Sequence, residues 1–218
     1  MRSARRRSVF LVDDHPIVQQ GLTMLIDAQS DLQVCGQSST AGEALRNITS
    51  VGPDVVIVDL SLKGSSGLGL IKELHVRHPK LAILVLSMHD ETLFAERALR
   101  AGALGYVMKQ EPGSVVLSAL RKVLNGEIHV SHRVSQMALS SLRRGAAAGV
   151  ASPVGQLSDR ELEVLDLIGR GLKTGEIAQT LHISVKTVQS HRANLKSKLH
   201  LQDSGKLALY AAARSQRV

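Results

Sequence analysis

Short apolar runs recur along the first half of the chain, separated by stretches in which apolar residues follow a helical spacing. Runs of strand length cover residues 9–12, 55–58, 82–86 and 105–108, and a weaker one covers 32–36. These runs are apolar almost throughout instead of alternating with polar residues. This is typical of strands that are buried on both faces of a parallel sheet.

Amphipathic stretches lie between and after the apolar runs. Pro16 stands near the start of the first, and Thr40 with Glu43 gives the second a capping-box spacing. The later stretches cover about 67–75, 91–101 and 112–125. This alternation predicts an α/β domain with a doubly wound, five-stranded parallel sheet and right-handed crossovers.

The pattern changes after Pro153, where four short helical segments follow one another. Ser158 and Glu161 form a capping box ahead of the first segment, and the second covers about 174–181. Ser184 caps a third segment that runs to about residue 199, and a fourth covers about 204–214. The inward stripe of the third segment consists of Val188, Leu195 and Leu199. The pattern predicts a small all-α domain of four helices.

Ser, Ala and Gly accumulate between the two halves, which is typical of a linker. We expect an α/β domain at 8–126, a linker at 127–154 with a short helix at about 134–142, and a helical domain at 155–218. The 218 residues suit two domains, because a domain most often contains roughly 100–150 residues.

Composition narrows the class of protein. Hydrophobic residues make up 44% of the chain and charged residues 21%, so each domain can bury a core. No run approaches the roughly 18 apolar residues that a membrane-spanning helix needs, and no signal-length apolar stretch follows the basic start. We therefore expect a cytoplasmic protein that does not enter a membrane.

Nearly all of the net charge of +8 belongs to the second part of the chain. Residues 131–218 contain 13 Lys and Arg against 6 Asp and Glu, whereas residues 1–130 contain 14 against 13. This asymmetry favours a polyanionic partner for the helical domain. With two Phe, two Tyr and no Trp, stacking platforms for single strands are scarce, so duplex DNA is the expected partner.

Polar side chains follow the strands of the predicted sheet. They are Asp13, Asp14, Asp59, Ser87 and Lys109. Ligand sites in open α/β sheets lie at the carboxyl ends of the strands, so these groups converge in one crevice. Three carboxylates that repel one another favour a hard divalent cation, and Mg²⁺ suits a site of oxygen ligands shared with a phosphate. One carboxylate is then free to act as a nucleophile toward phosphorus.

Four motifs at these positions resemble the receiver domain of two-component response regulators, a flavodoxin-like fold. The motifs are Val-Asp13-Asp14-His, Val-Asp59-Leu, Leu-Ser87-Met and Gly-Tyr106-Val-Met-Lys109. The resemblance covers about residues 8–126. It implies that Asp59 accepts a phosphoryl group from a sensor histidine kinase, assisted by Ser87 and Lys109.

The same resemblance implies a set of ligands and a switch. Asp14 and Asp59 would bind Mg²⁺ directly, Asp13 partly through water, and the backbone carbonyl of Ser61 would complete the protein ligands. Ser87 and Tyr106 would form the switch pair, in which the hydroxyl turns toward the phosphoryl group and the ring moves inward. Many receivers have Met-Pro soon after the phosphorylated aspartate, whereas this chain has Leu62-Lys63-Gly64. That departure affects the expected lifetime of the phosphoryl group.

Three alternatives fit less well. Phosphohydrolases of the haloacid dehalogenase type have a second aspartate two residues after the nucleophile, where this chain has Ser61. A P-loop is excluded because the chain contains no Gly-x-x-x-x-Gly-Lys-Ser/Thr run. A scaffold that works without phosphate is disfavoured by the intact set of five polar groups. We therefore expect a regulator and not an enzyme.

The third helical segment of the second half has a polar outer face. Its outward positions are Lys186, Gln189, Ser190, Ala193, Asn194 and Ser197, flanked by Arg192, Lys196 and Lys198. The major groove of duplex DNA admits one α-helix of this kind. Basic side chains neutralise phosphates, and amides such as Gln189 and Asn194 can pair with adenine edges.

Three motifs in this half closely resemble the LuxR-type helix-turn-helix over about residues 155–215. They are Leu157-Ser-Asp-Arg-Glu161-Leu-Glu-Val-Leu, Glu176-Ile-Ala178 and Ile183-Ser-Val-Lys186-Thr187-Val188-Gln-Ser-His191-Arg192-Ala-Asn194-Leu-Lys196. The whole chain thus resembles a response regulator of the NarL/FixJ type.

This second resemblance implies DNA contacts. The implied phosphate contacts are Lys173, Thr187, His191, Arg192, Lys196 and Lys198. Gln189, Ser190 and Ala193 would face the bases. The fourth helix, with Leu207, Leu209 and Tyr210, resembles the dimer-forming element of the family, so we expect a homodimer when the protein is phosphorylated.

Overall fold

The computed structural model describes residues 5–143 and 153–215. The chain separates into two compact units, Met1–Ser135 and Gln136–Val218. The predicted domain limits remain a prediction, and residues 144–152 of the predicted linker lie outside the described residues.

The first unit alternates strands and helices. Its strands are β1 (Arg7–Val12), β2 (Leu32–Ser38), β3 (Val55–Val58), β4 (Ser61–Leu62), β5 (Ser65–Ser66), β6 (Ala82–Ser87) and β7 (Gly105–Met108). Its helices are α1 (Pro16–Asp27), α2 (Ala41–Val51), α3 (Gly67–Arg77), α4 (Glu91–Ala101) and α5 (Gly113–Leu124).

Five strands form a parallel sheet in the order β2-β1-β3-β6-β7, which confirms the predicted fold class. Every residue of β3 is buried, as the uninterrupted apolar run of this central strand predicts. Val58 pairs with Val12 on one side and Val85 on the other, so β1 and β3 end level with each other and β6 runs two residues further, to Ser87. The residues that follow these strands therefore meet at one edge of the sheet.

The structure differs from the predicted elements in short segments. The strands β4 and β5 form a small antiparallel hairpin that was not predicted, because no apolar run covers it. The second strand continues past the predicted residue 36 to Ser38. A helix α6 (His132–Arg143) replaces the shorter one predicted at about 134–142.

The second unit contains the four expected helices after a 3₁₀ turn at Pro153–Gln156. They are α7 (Asp159–Gly169), α8 (Thr174–Thr180), α9 (Val185–Lys198) and α10 (Ser204–Ser215). Ser158 and Glu161 form the predicted capping box, and the Ser184 side chain accepts a hydrogen bond from Thr187 N–H. The predicted inward stripe of α9 is buried at Val188, Leu195 and Leu199.

Within the described part of the chain, no helix has both the length and the apolar character that crossing a bilayer requires.

Candidate functional site

The acidic side chains that follow β1 and β3 lie together. Ligand atoms of Asp13, Asp14, His15 and Asp59 are all within 4.8 Å of one another. Asp13 and Asp59 are buried, with 3% and 2% of their surface exposed. Asp59 N–H donates to Val12 O at 2.8 Å, which continues the strand pairing and fixes the start of the loop after β3.

Lys109 approaches this cluster from the end of β7. Its ammonium lies 2.7 Å from Asp59 Oδ2 and 2.6 Å from Asp13 Oδ2. Its backbone N–H donates to Ser87 O at 2.8 Å, so the pairing of β6 with β7 continues to the lysine and aims its side chain into the crevice. A single ammonium balances one of the carboxylates that it contacts.

Burial and charge act on these groups in opposite directions. Burial raises the pKa of Asp59, and Asp13 adds to that rise, against the lowering effect of Lys109. Burial alone would lower the pKa of Lys109, but the carboxylates of Asp59 and Asp13 outweigh it and raise that pKa. The lysine therefore stays cationic, and the acidic cluster still lacks positive charge.

The donor set fits a hard divalent cation. Clustered carboxylate oxygens are the ligands that Mg²⁺ and Ca²⁺ prefer, and a cation supplies the charge that Lys109 alone does not. The His15 imidazole is 3.1 Å from Asp13 Oδ1 and 2.9 Å from Asp14 Oδ1, so it is a further polar group at the rim.

The loop after β3 is held tightly against the site. Ser61 N–H donates to Asp59 Oδ1 at 3.2 Å. Gly67 N–H donates to Leu60 O at 3.0 Å, and a Cβ at Gly67 would overlap the Asp59 carbonyl oxygen. Only glycine permits the start of α3 to approach Asp59 this closely.

The two residues of the predicted switch pair are linked through His89. Ser87 and Tyr106 are buried, with 0% and 1% exposure. Ser87 Oγ accepts a hydrogen bond from His89 N–H at 3.2 Å, and the Tyr106 hydroxyl donates to His89 O at 2.9 Å. The His89 ring stacks on Phe94, and its Nε2 lies 2.8 Å from Ser61 Oγ. The β3–α3 loop and the switch pair therefore meet at one residue.

Sequence reasoning did not single out His15 or His89. Each follows a strand-end residue that it did select, His15 directly after Asp14 and His89 two residues after Ser87. Their position after apolar runs was the available signal, because it places them at the same edge of the sheet.

The second candidate site is the outer face of α9. The exposed positions that were predicted to contact DNA are Lys186, Thr187, Gln189, Ser190, Ala193 and Asn194, and Lys173 before α8 is exposed as well. The half-buried positions are His191, Arg192, Lys196 and Lys198. The structure thus brings the amide and basic side chains together on one helix, whereas Lys173 comes from the N-cap of α8.

Some of these candidates have partners within the unit. Lys198 Nζ lies 2.7 Å from Glu161 Oε2, and Glu161 also accepts from Ser158 N–H at 2.7 Å. Thr187 Oγ1 is 2.8 Å from Ser184 Oγ at the cap of α9. The Lys198 ammonium therefore secures the end of α9 to the start of α7.

The surroundings of His191 on α9 shift its pKa. Burial lowers the pKa of His191, and the guanidinium of Arg160 lowers it further, against the opposing effect of Glu161. The neutral imidazole is favoured, so His191 can donate a hydrogen bond to a phosphate without adding a full charge.

Three buried acidic residues of α7 position the helix-turn-helix. Glu161, Glu163 and Asp166 are at most 3% exposed. They pair with Lys198, Arg160 and Arg170 respectively. Arg160 Nη2 also donates to the carbonyl of Leu181, where α8 ends, at 2.6 Å. Basic side chains thus serve the packing of this unit as well as its surface charge.

Both units match family models. Residues 9–121 match the model of the response regulator receiver domain. Residues 155–211 match the model of bacterial regulatory proteins of the luxR family. The first match covers more than half of the chain and contains all of the receiver positions discussed above, with Asp59 and Lys109 among them.

Relatives match over nearly the whole length. The oxygen regulatory protein NreC of Staphylococcus haemolyticus is 34% identical over 207 residues, which is 93% of this chain and 95% of the relative. RcsB of Salmonella enterica serovar Typhimurium, solved bound to the promoter P1flhDC in the presence of the phosphomimetic BeF3⁻, is 28% identical with a TM-score of 0.62, and the match covers 96% of this chain and 100% of that one.

A second solved structure matches part of the chain. It is a two-component response regulator of the LuxR family from Aurantimonas sp. SI85-9A1, 32% identical with a TM-score of 0.59. The match covers 63% of this chain and 99% of that one.

Proposed function

Since the chain belongs to the response regulators of two-component systems, in the NarL/FixJ-type group with a LuxR-type DNA-binding domain, we propose that Asp59 is its phosphoacceptor and α9 its DNA-reading helix. The observation that carries the proposal is the buried Asp59 carboxylate held between the Lys109 ammonium and the Asp13 carboxylate. A regulator of this family is typically not an enzyme, and we expect no enzymatic activity from this chain.

The phosphoryl donor is a phosphohistidine of a sensor histidine kinase. A carboxylate oxygen of Asp59 attacks phosphorus, and the bond between phosphorus and the histidine nitrogen breaks as the new P–O bond forms. The kinase imidazole leaves with the electron pair of that bond. Lys109 neutralises charge on the transferred group, and the Ser87 hydroxyl donates a hydrogen bond to one of its oxygens.

Asp13, Asp14, Asp59 and the backbone carbonyl of Ser61 are the proposed ligands of Mg²⁺. When bound, Mg²⁺ supplies the positive charge that stabilises the phosphoryl oxygens. The buried carboxylates hold their positions because His15, Lys109 and the Ser61 N–H contact them.

The second half binds duplex DNA in the proposal. The α9 helix enters the major groove, where Gln189, Ser190 and Ala193 face bases. Phosphates are contacted by side chains that surround these positions. They are Lys173, Thr187, His191, Arg192, Lys196 and Lys198, and Lys186 and Asn194 are further DNA-contact candidates on the same outer face of α9.

A homodimer formed through α10 is part of the proposal. Leu209 is 72% exposed on this helix, whereas Leu207 is fully buried and therefore belongs to the core of its own unit. Arg214 lies 5.1 Å from the centre of the Tyr210 ring, which orients that ring at the surface. Kinase and DNA partners together imply a cytoplasmic location.

The phosphoacceptor is tested by intact-mass and peptide mass spectrometry of the full chain after incubation with acetyl phosphate and Mg²⁺. We expect one base-labile phosphoryl adduct, located on Asp59 and absent from Asp59→Asn. Asp31→Asn is the matched control, because Asp31 is a surface aspartate of the same unit paired with Arg121. An adduct of equal yield on Asp59→Asn would refute the assignment.

A further inference from the structure

The chain segment after α5 is hydrogen-bonded to the switch strand β7. His129 N–H donates to Leu104 O at 2.9 Å, and Tyr106 N–H donates to His129 O at 2.9 Å. His129 thereby forms an isolated parallel bridge with Gly105. The backbone of the switch residue Tyr106 is thus joined directly to the segment that leads into α6.

Ser131 is the cap of α6 and also a contact of α4. Its Oγ accepts from Val134 N–H at 3.2 Å, and its carbonyl accepts from Ser135 N–H at 3.0 Å. The same hydroxyl donates to Glu91 Oε1 at 2.7 Å. Val134 is buried, with 9% exposure, so the first turn of α6 is packed as well as capped.

Glu91 stands next to the switch pair. It is the first residue of α4, two residues after His89, whose backbone binds both the Ser87 Oγ and the Tyr106 hydroxyl. The His89 backbone therefore joins both switch side chains to the start of α4, where Glu91 accepts from Ser131.

We propose that Glu91, Ser131 and the backbone pair Tyr106–His129 form a clamp that couples the phosphorylation state of Asp59 to the first turn of α6. When Ser87 and Tyr106 move toward a phosphoryl group, His89 and the first turn of α4 move with them, and the Glu91 carboxylate loses its alignment with the Ser131 hydroxyl. This inference rests on the proposed function, because it takes the phosphoryl group as the input. A hydrogen bond such as the one from Ser131 to Glu91 contributes about 1 kcal/mol, which corresponds to roughly a fivefold change in the opening of the first turn of α6.

The contact itself is tested on the full chain without any phosphoryl analogue. Amide hydrogen exchange at residues 133–138 should be about fivefold faster in Glu91→Ala than in the wild type. Glu96→Ala is the matched control, because Glu96 lies on the same helix and pairs with Arg100. Ser131→Thr keeps the hydroxyl and should exchange like the wild type. Equal exchange in Glu91→Ala and Glu96→Ala would overturn the clamp.

The coupling is tested by repeating the exchange with beryllofluoride and Mg²⁺. In the wild type, we expect protection at residues 87–89 together with a change of about fivefold at 133–138. In Glu91→Ala, the protection at 87–89 should persist while the exchange at 133–138 no longer responds. Protection at 87–89 with an unchanged α6 in the wild type, or an undiminished response in Glu91→Ala, would refute the coupling.

Failure of the proposed function gives a different result. If beryllofluoride produces no protection at 87–89 in the wild type, the proposed phosphoacceptor site is wrong. The proposed coupling is then wrong as well, because it takes the phosphoryl group as its input. The exchange difference measured without the analogue would then reflect a contact between α4 and the cap of α6 that does not respond to phosphorylation.

Discussion

At the scale of single residues, Lys109 shows how the crevice is balanced. Its ammonium contacts Asp13 and Asp59 at the distances of charge-assisted hydrogen bonds, and the pKa of Lys109 is raised by these carboxylates. Burial raises the pKa of Asp59 and so opposes its ionisation, against the lowering effect of Lys109. Added positive charge at this site therefore favours both the carboxylate form of Asp59 and the binding of a phosphoryl group.

The candidate residues of the crevice were predictable because they follow apolar runs. The pairing of β1, β3 and β6 brings Asp13, Asp59 and Ser87 to one edge of the sheet. Their positions after apolar runs predicted this. The role of His89 was not predictable, because its contacts are made by backbone atoms and by a ring stacked on Phe94. The ion pair of Lys198 was not predictable either, because its partner Glu161 lies 37 positions away in sequence.

Glu161 gives a prediction for stability against pH. Burial opposes its ionisation, but the hydrogen bonds from Lys198 and Ser158 outweigh burial and lower the pKa of Glu161 below its ordinary 4.5. A carboxyl whose folded pKa is lowered stabilises the fold above the unfolded pKa and loses that contribution as pH falls through the folded pKa. Glu161→Gln should therefore reduce the free energy of unfolding by about 1–2 kcal/mol at pH 7.

The difference between wild type and Glu161→Gln should shrink as the pH falls from about 5 toward about 3. Urea denaturation of the full chain measures this difference in the free energy of unfolding. Amide hydrogen exchange in α7 measures it at the helix that contains Glu161. Glu176→Gln is the control, because Glu176 makes the same kind of bond to the Lys173 N–H but is exposed. A Glu161→Gln difference that stays constant across this pH range would contradict the predicted contribution.

At the scale of elements, α9 combines a buried stripe with an exposed polar face. Val188 and Leu195 are fully buried, which fixes the rotation of the helix and leaves Gln189 and Ala193 outward. Arg160 holds the end of α8, and Lys198 holds the end of α9. The presented face therefore depends on α7 for its position.

Lys196 supplies the prediction for this helix. Among the described residues, Lys196 has no ion-pair partner, and it lies half-buried on α9. Because a phosphate contact carries no sequence information, Lys196→Ala should weaken binding similarly on specific and random DNA and reduce the log-log salt slope by about 1. Lys206→Ala, on α10, is the control. A loss confined to specific DNA with an unchanged slope would contradict the role.

Regular elements were easier to predict than short ones. The parallel strands and the four helices of the second unit were found because apolar periodicity and side-chain caps identify them. The hairpin of β4 with β5 was not found, because two-residue strands have no period. The helix α6 begins at His132, directly after Ser131, whose hydroxyl contacts Glu91, 40 positions away in sequence.

At the scale of the whole molecule, one unit matches receiver domains and the other matches regulatory proteins of the luxR family. The charge difference between the two parts of the sequence indicated the polyanionic partner of the second unit before any geometry was known. Sequence patterns did not predict the order of the strands. They also did not predict that residues 129–131 attach to β7 and α4. Those attachments depend on the paths of the crossovers and not on local residue preference.

The most direct test of the account is footprinting of the full chain on sheared genomic DNA, with and without acetyl phosphate and Mg²⁺. In the wild type, the phosphodonor should raise affinity at specific sites by about tenfold, within the range of ordinary allosteric coupling. In Asp59→Asn, the donor should leave the footprints unchanged. A full response of Asp59→Asn, or identical wild-type footprints in both conditions, would contradict control of DNA binding by phosphorylation of Asp59.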